Sequence, residues 1–378
     1  MSIRQYNLGS IIKPGFNPLG VQTTTTLYNL YGWGGNGNGQ LGLGNTTSYS
    51  SPKQVDSLTT WSNISRGSQF TIATKTDGTL WSWGQGSNGK LGLGNTTNYS
   101  SPKQIGALTT WGAVASGSTW TLAIKTDGTL WSWGQNDSGQ LGLNSATYSF
   151  SSPNQVGALT TWSNISGGGE HSIAIKTDGT IWSWGNNAQG QLGLGNTTQY
   201  RSPKQIGALT NWFKASCGNL FNIAIKTDGT LWAWGYNPSG QLGNGATGNI
   251  SSPIQIGALT TWSKVAAGRD FSSSIKTDGT VWVWGNNASG QLGLGNTPYY
   301  SSPKQVGALT TWSKVACGAN GMLVIKTDGT LWVWGSNTSG ALGLGNLTNY
   351  SSPKQVGAST TWFFVAQGSD SNNPLALG

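Results

Sequence analysis

Residues 109–143 read TTWGAVASGSTWTLAIKTDGTLWSWGQNDSGQLGL, and within them apolar and polar positions alternate in two short runs: Leu122-Ala123-Ile124, then Leu130-Trp131-Ser132-Trp133, with Asp127-Gly128 between. Period-two alternation marks a strand, and Asp-Gly accepts the positive φ angles of a tight turn, so the two runs predict a β-hairpin. The runs Trp111-Gly112-Ala113-Val114-Ala115 and Pro102-Lys103-Gln104-Ile105 raise the count to about four strands per unit. Pro102 assigns its run to an outer edge, where a missing N–H breaks no ladder. No helical period is sustained anywhere, and 59 glycines oppose one, so helix is expected to be almost absent.

This pattern repeats every 50 or 51 residues. A Trp-Gly pair recurs at Trp33, Trp83, Trp133, Trp184, Trp234, Trp284 and Trp334, and a second column at Trp61, Trp111, Trp162, Trp212, Trp262, Trp312 and Trp362, which makes seven copies of each. The turn KTDGT occurs only six times, starting at Lys75, Lys125, Lys176, Lys226, Lys276 and Lys326. The missing turn marks a cut. With a two-residue insertion, Leu375-Ala376-Leu377 aligns with Leu122-Ala123-Ile124, while Thr26-Leu27-Tyr28 through Trp33-Gly34 aligns with the strand leaving the turn. One repeat is thus shared by both ends of the chain, which serves a closed ring and not a linear solenoid. The expectation is an all-β, seven-bladed propeller over residues 25–378, preceded by an arm over residues 1–24.

Composition modifies this picture in few places. A single repeat of this length cannot bury both its own faces, so the ring counts as one unit despite its 378 residues. Burying an indole removes roughly 150 to 250 Å² from water and contributes about 4 to 6 kcal/mol before entropy, so the repeated tryptophans read first as structural. The net charge of +9 traces to Lys53, Lys103, Lys204, Lys304 and Lys354 on outer strands, with Lys214, Lys264 and Lys314 adding to it, because the KTDGT lysines are balanced by their aspartates. Charge spread around a circumference does not build a nucleic-acid groove, so nucleic acid is not an expected partner. Cys217 and Cys317 share a column two blades apart, too far for a disulfide, and read as small buried residues. The first twenty residues contain no apolar run long enough for a signal peptide or a membrane span.

The string GTLWSWGQNDSGQLGL at Gly128–Leu143, extended by the glycine seen at Gly94 and Gly195 in sister repeats, resembles the repeat signature of the regulator of chromosome condensation propeller family, and does so nearly throughout the chain. The resemblance implies the propeller fold and, since members mostly bind other proteins, a protein partner. Members include a nucleotide exchange factor for a small nuclear GTPase, a plant ultraviolet receptor, ligase-linked propellers and a bacterial β-lactamase inhibitor. The exchange factor acts through a β wedge inserted in one blade, whereas no repeat step here exceeds 51 residues. The photoreceptor groups tryptophans with arginines, whereas only Arg4, Arg66, Arg201 and Arg269 occur here. The compact, nearly identical repeats resemble bacterial and phage members more closely.

Function should lie where repeats differ, and the segment after each innermost strand varies most: SQF, STW, GEH, NLF, RDF, ANG, SDS. Its third position is Phe70, Trp120, His171, Phe221 and Phe271 in consecutive repeats, preceded in two of them by Glu170 and by Arg269-Asp270. This arc reads as a stacking platform for glycans, as a hot spot for a protein partner, or as packing against a neighbouring blade, the last favoured by its strand context. Glu170 and His171, adjacent on a strand, point to opposite faces and make a poor catalytic dyad; no nucleophile with a base and no metal cluster is visible. Gly37-Asn38-Gly39-Gln40-Leu41-Gly42 matches a dinucleotide fingerprint but lacks the following helix that the motif needs. No cofactor and no enzymatic activity are expected. The reading is a non-catalytic structural or recognition component of a larger assembly, a phage virion or similar surface particle, with residues 1–24 read either as an arm that docks onto a neighbouring subunit or as a frayed terminus. The alternatives are a lectin-like or inhibitor-like binding propeller and, last, a guanine nucleotide exchange factor.

Overall fold

A computed structural model describes residues 28–368, 371 and 373–378, so the arm expected over residues 1–24 lies outside the described residues, with Thr26 and Leu27. The rest forms seven four-stranded antiparallel sheets. In one of them the order from the inside is Trp111–Ser116, Trp120–Lys125, Leu130–Gln135 and Ser149–Gln155. The innermost strands of successive sheets touch one another in a complete circle, closing the propeller. Prolines such as Pro102 lie on the outermost strand, as their missing N–H requires. Among the described residues the helical content is two 3₁₀ turns, Ser87–Gly89 and Thr338–Gly340.

The seventh blade is assembled from both ends of the chain. Tyr49–Gln54 and Leu30–Gly34 come from one end, Leu375–Leu377 and Phe364–Ala366 from the other. Val365 pairs with Ala376 as Val114 pairs with Ala123 elsewhere, so the alignment with a two-residue insertion holds in register. Where the other blades carry the KTDGT turn, this one is open.

Two hydrogen-bond systems explain why the repeat is so invariant. The inner Trp of each Trp-x-Trp pair is fully buried and its Nε1 donates to a carbonyl of the preceding repeat: Trp83 to Gln40 at 3.1 Å, Trp133 to Lys90 at 3.1 Å, and across the closure Trp33 to Ala341 at 3.0 Å. Gly42, at φ +78°, makes room for this contact, since a Cβ there would meet Trp83 Nε1 at 2.7 Å. In the turn, Asp127 Oδ1 accepts from the Thr129 amide and hydroxyl, and Thr129 Oγ1 accepts from Trp131 Nε1 at 2.9 Å. The hydrogen bond from the Thr129 hydroxyl, aided by that from its amide, holds the Asp127 carboxyl below its ordinary range. Lys125 then lies 3.7 Å from the Trp131 ring centroid and 4.9 Å from that of Trp111. The turn lysines thus pack on indoles as well as balancing charge. Tyr31 replaces the outer Trp in the closing blade and meets Trp362 edge-on at 5.3 Å.

Candidate functional site

The ring has two faces. One, the turn face, carries the Asp-Gly hairpins and the Leu-Thr-Thr-Trp segments; the opposite face carries the variable segments. On the opposite face the aromatic arc is packing. Phe70, Trp120, His171, Phe221 and Phe271 are all fully buried. Each ring lies on the glycine three residues before it: a Cβ at Gly67 would sit 1.9 Å from Phe70 Cε1, and one at Gly117 would sit 2.1 Å from Trp120 Cε2. A glycan stacking platform requires open ring faces, so the reading of these five side chains as a platform is corrected. Where the arc ends at Gly321, the closing blade fills the gap, with Gln367 Nε2 against Gly318.

His171 departs from its aromatic sisters by a polar contact. Its Nε2 lies 2.7 Å from Asn222 Oδ1, its Nδ1 has no partner, and Asn222 Nδ2 donates to Gln191 O at 2.7 Å. Burial, only partly opposed by the Asn222 hydrogen bond, lowers its pKa to about 4, so the imidazole is neutral at pH 7. Glu170 points elsewhere, its Oε2 accepting from Ser138 Oγ at 3.1 Å and Asn186 Nδ2 at 2.8 Å. The structure does not bring acid and imidazole together. Glu170 instead borders a cleft of about 430 Å³ with Gln135, Asn186, Gln189 and Asn219. Arg269 is exposed and Asp270 half-buried.

The backbone of these variable segments is a structural annulus. Ser68 N donates to Ser118 O, Ser118 N to Gly168 O, Gly169 N to Asn219 O, Asn219 N to Arg269 O, and Arg269 N to Gly318 O, at 2.8 to 3.3 Å. The segments are thus free to vary in side chain while their main chain ties blade to blade.

Sequence reasoning missed two buried cations. Arg66 donates through Nη1 to Gln40 O and to Thr71 Oγ1 at 2.7 Å, with Nε and Nη2 unpartnered, and burial lowers its pKa to about 9. Lys90 takes the place of a glutamine found at Gln40 and Gln140 and donates to Gln85 Oε1; burial lowers its pKa to about 8. The only signal was a charged residue standing in a column of neutral ones. Cys217 and Cys317 are buried free thiols as expected, and burial pushes the Cys217 thiol up to about 12. Among the described residues no three His, Cys, Asp or Glu side chains are grouped to hold a metal ion. No helix among them is long and apolar enough to cross a membrane.

The turn face is different in character. Between adjacent blades it carries apolar clefts of about 410, 340 and 390 Å³, built alike: Leu108, Trp111, Trp131 and Pro153 in one, Leu309, Trp312, Trp332 and Pro353 in the next, Leu209, Trp212, Trp232 and Pro253 in the third. Leu58, Leu108, Leu159, Leu209, Leu259 and Leu309 are exposed around this face. Nearer the axis, Phe213 and Phe363 are 57% and 45% exposed at positions where sister repeats carry Ser62 or Ser263.

Residues 20–263 match the RCC1-like domain, and residues 278–325 and 328–370 match the regulator of chromosome condensation (RCC1) repeat. The chain belongs to the RCC1-like propeller family. Among solved structures, this RCC1-like propeller is similar to human WBSCR16, at 21% identity over 93% of this chain and 99% of that one, with a TM-score of 0.84. It is also similar to Prp20p from Saccharomyces cerevisiae, at 19% identity over 94% of this chain and 92% of that one, TM-score 0.83, a protein described with its binding properties to Gsp1p and histones. A second structure, yeast RCC1 (Prp20) with Kap60 bound, gives 19% identity over 100% of this chain and 96% of that one, TM-score 0.82. At such identities the likeness is one of fold. No curated protein matches the chain.

Proposed function

We propose that this RCC1-like propeller is a non-catalytic structural or recognition component of a larger assembly, a phage virion or similar surface particle, and that it presents its turn face to a protein partner. One observation carries this reading: leucines ring a single face while Phe213 and Phe363 stand exposed near its centre. Apolar and aromatic side chains concentrated on one face mark a protein-docking surface. The protein partners named for the yeast propeller accord with it. The lectin-like or inhibitor-like alternative draws on the aromatic arc, and the full burial of Phe70, Trp120, His171, Phe221 and Phe271 favours the turn face over it.

The test is incorporation into the particle of the source, followed by native mass measurement. Phe213→Ser with Leu309→Ser, residues that sister repeats carry at Ser263 and Ser359, should abolish incorporation and leave thermal stability within a few degrees of wild type. Normal incorporation of the double variant, or recovery of the wild type only as a free 39.5 kDa monomer, would overturn the proposal.

A further inference from the structure

Two residues after the tryptophans of the Trp61 column stand Asn63, Ala113, Asn164, Lys214, Lys264, Lys314 and Phe364 around the ring, all on innermost strands. Because these strands surround the axis and this position lies toward the turn face, three consecutive lysines line one arc of the mouth of the central channel. Sequence reasoning placed their charge on a circumference; the fold gathers it instead. None of the seven innermost strands carries Asp or Glu.

The three residues sit at the same position on successive, contacting strands and have no acidic partner on them. Lys264 Nζ donates to Ser313 O, the residue preceding Lys314, and Lys314 Nζ donates to Phe363 O while lying 3.4 Å from the Phe363 ring centroid. No hydrogen bond from Lys214 is found among the described residues. Lys214 is exposed to solvent, and the protein around its ammonium still replaces part of its hydration. Burial lowers the pKa of all three; the charge of Lys214 lowers Lys264 further, and that of Lys264 lowers Lys314 further. Each ammonium has three donors, and a backbone carbonyl takes only one, so most remain available. Like charges held together without a counter-charge raise the free energy of the empty ring, and a bound anion reverses that term.

We propose that Lys214, Lys264 and Lys314 form a binding site for a compact, multiply charged phosphate-class oxyanion at the turn-face mouth of the channel. The chemistry of the donors selects the class. Lysines converging as point charges, without an arginine fork, suit a tetrahedral oxyanion better than a planar carboxylate. The site does not depend on the assembly role proposed above.

Calorimetric titration of the full chain with sodium tripolyphosphate at low ionic strength tests it. One ion per chain should bind, about tenfold more weakly after Lys264→Gln and again after Lys214→Gln, with binding retained in Lys264→Arg. A rim variant losing the same two charges as the double arc variant, Lys204→Gln with Lys304→Gln, should bind like wild type and so controls for net charge and folding. ATP binding as tightly as tripolyphosphate would support recognition of a phosphate chain whatever carries it. The site is refuted if wild type binds no tripolyphosphate, if the rim variant loses as much affinity as the arc variants, or if ATP binds where tripolyphosphate does not.

Discussion

Asn29 and Gly378 exchange backbone hydrogen bonds: the Asn29 amide donates to Gly378 O at 3.0 Å and the Gly378 amide to Asn29 O at 3.1 Å. The pair closes the seventh blade where the other six carry an Asp-Gly turn, so two residues 349 positions apart in the chain (378 − 29) do the work of a hairpin.

Closure should therefore be a hinge point for stability. Leu375 is fully buried in the closing blade beside Leu30 and Trp61. Leu375→Ala should cost about 2 to 5 kcal/mol in denaturant unfolding. Removing residues 374–378 should abolish cooperative unfolding, because the innermost strand Phe364–Ala366 then has no partner within its blade. A truncated chain that melts like the full one would contradict the clasp.

Two glycines with similar backbone angles should respond differently to alanine. Gly92, at φ +72°, faces Trp133 Nε1 at 2.7 Å from a built Cβ, whereas Gly106, at φ +60°, has nothing within 4 Å. Gly106→Ala should cost about 1 to 2 kcal/mol, the left-handed penalty alone. Gly92→Ala adds a clash that displaces the indole and breaks its bond to Lys90 O, and should cost clearly more. Equal chemical-denaturation midpoints for the two would refute the contact.

The fold was legible because strand alternation, Asp-Gly and Trp-Gly recur in phase, so register errors in one copy are corrected by the others. The split repeat was legible because Leu375-Ala376-Leu377 keeps the alternation of its sisters. The candidate site was not. An aromatic after Gly-x-x reads identically whether its ring faces water or lies on the glycine, and only the backbone of Gly67 against Phe70 decides it. Likewise Lys214 and Lys204 are equal charges in the sequence, although one lines the channel and the other lies 5.4 Å from the Tyr200 ring on the outer strand.

His171 should make stability depend on pH in acid. Its folded pKa of about 4 lies below the ordinary value of 6.5, so between those values the unfolded chain binds a proton that the folded chain does not. Stability should fall by about 3 kcal/mol as pH drops from 6.5 to 4 and not change through this group above 6.5. His171→Phe, the residue at Phe70 and Phe221, should remove that share of the slope. Because it leaves Asn222 Oδ1 buried without a donor, it should also cost about 1 to 3 kcal/mol at pH 7, recovered by adding Asn222→Ser. Denaturation of the three proteins at pH 4.5 and 7 checks both signs.

Lys90→Gln should stabilise the ring. Glutamine restores the acceptor that Gln140 Oε1 offers to the Ser138 amide at 2.9 Å and removes a cation buried without a carboxylate. A gain of about 1 kcal/mol is expected at pH 7. Since burial holds Lys90 near pKa 8, the wild type should gain stability as pH rises from 8 toward 10.5, and the variant should lack that gain. A destabilised variant with an unchanged alkaline slope would contradict this.

Hydroxyl-radical footprinting of the intact particle against the isolated chain tests most directly the claim that recognition belongs to the turn face. Leu108, Phe213, Leu259 and Leu309 should be protected in the particle, with Glu170 and Arg269 on the opposite face labelled equally in both. Equal labelling of the leucines in both samples, or protection confined to the opposite face, would contradict it.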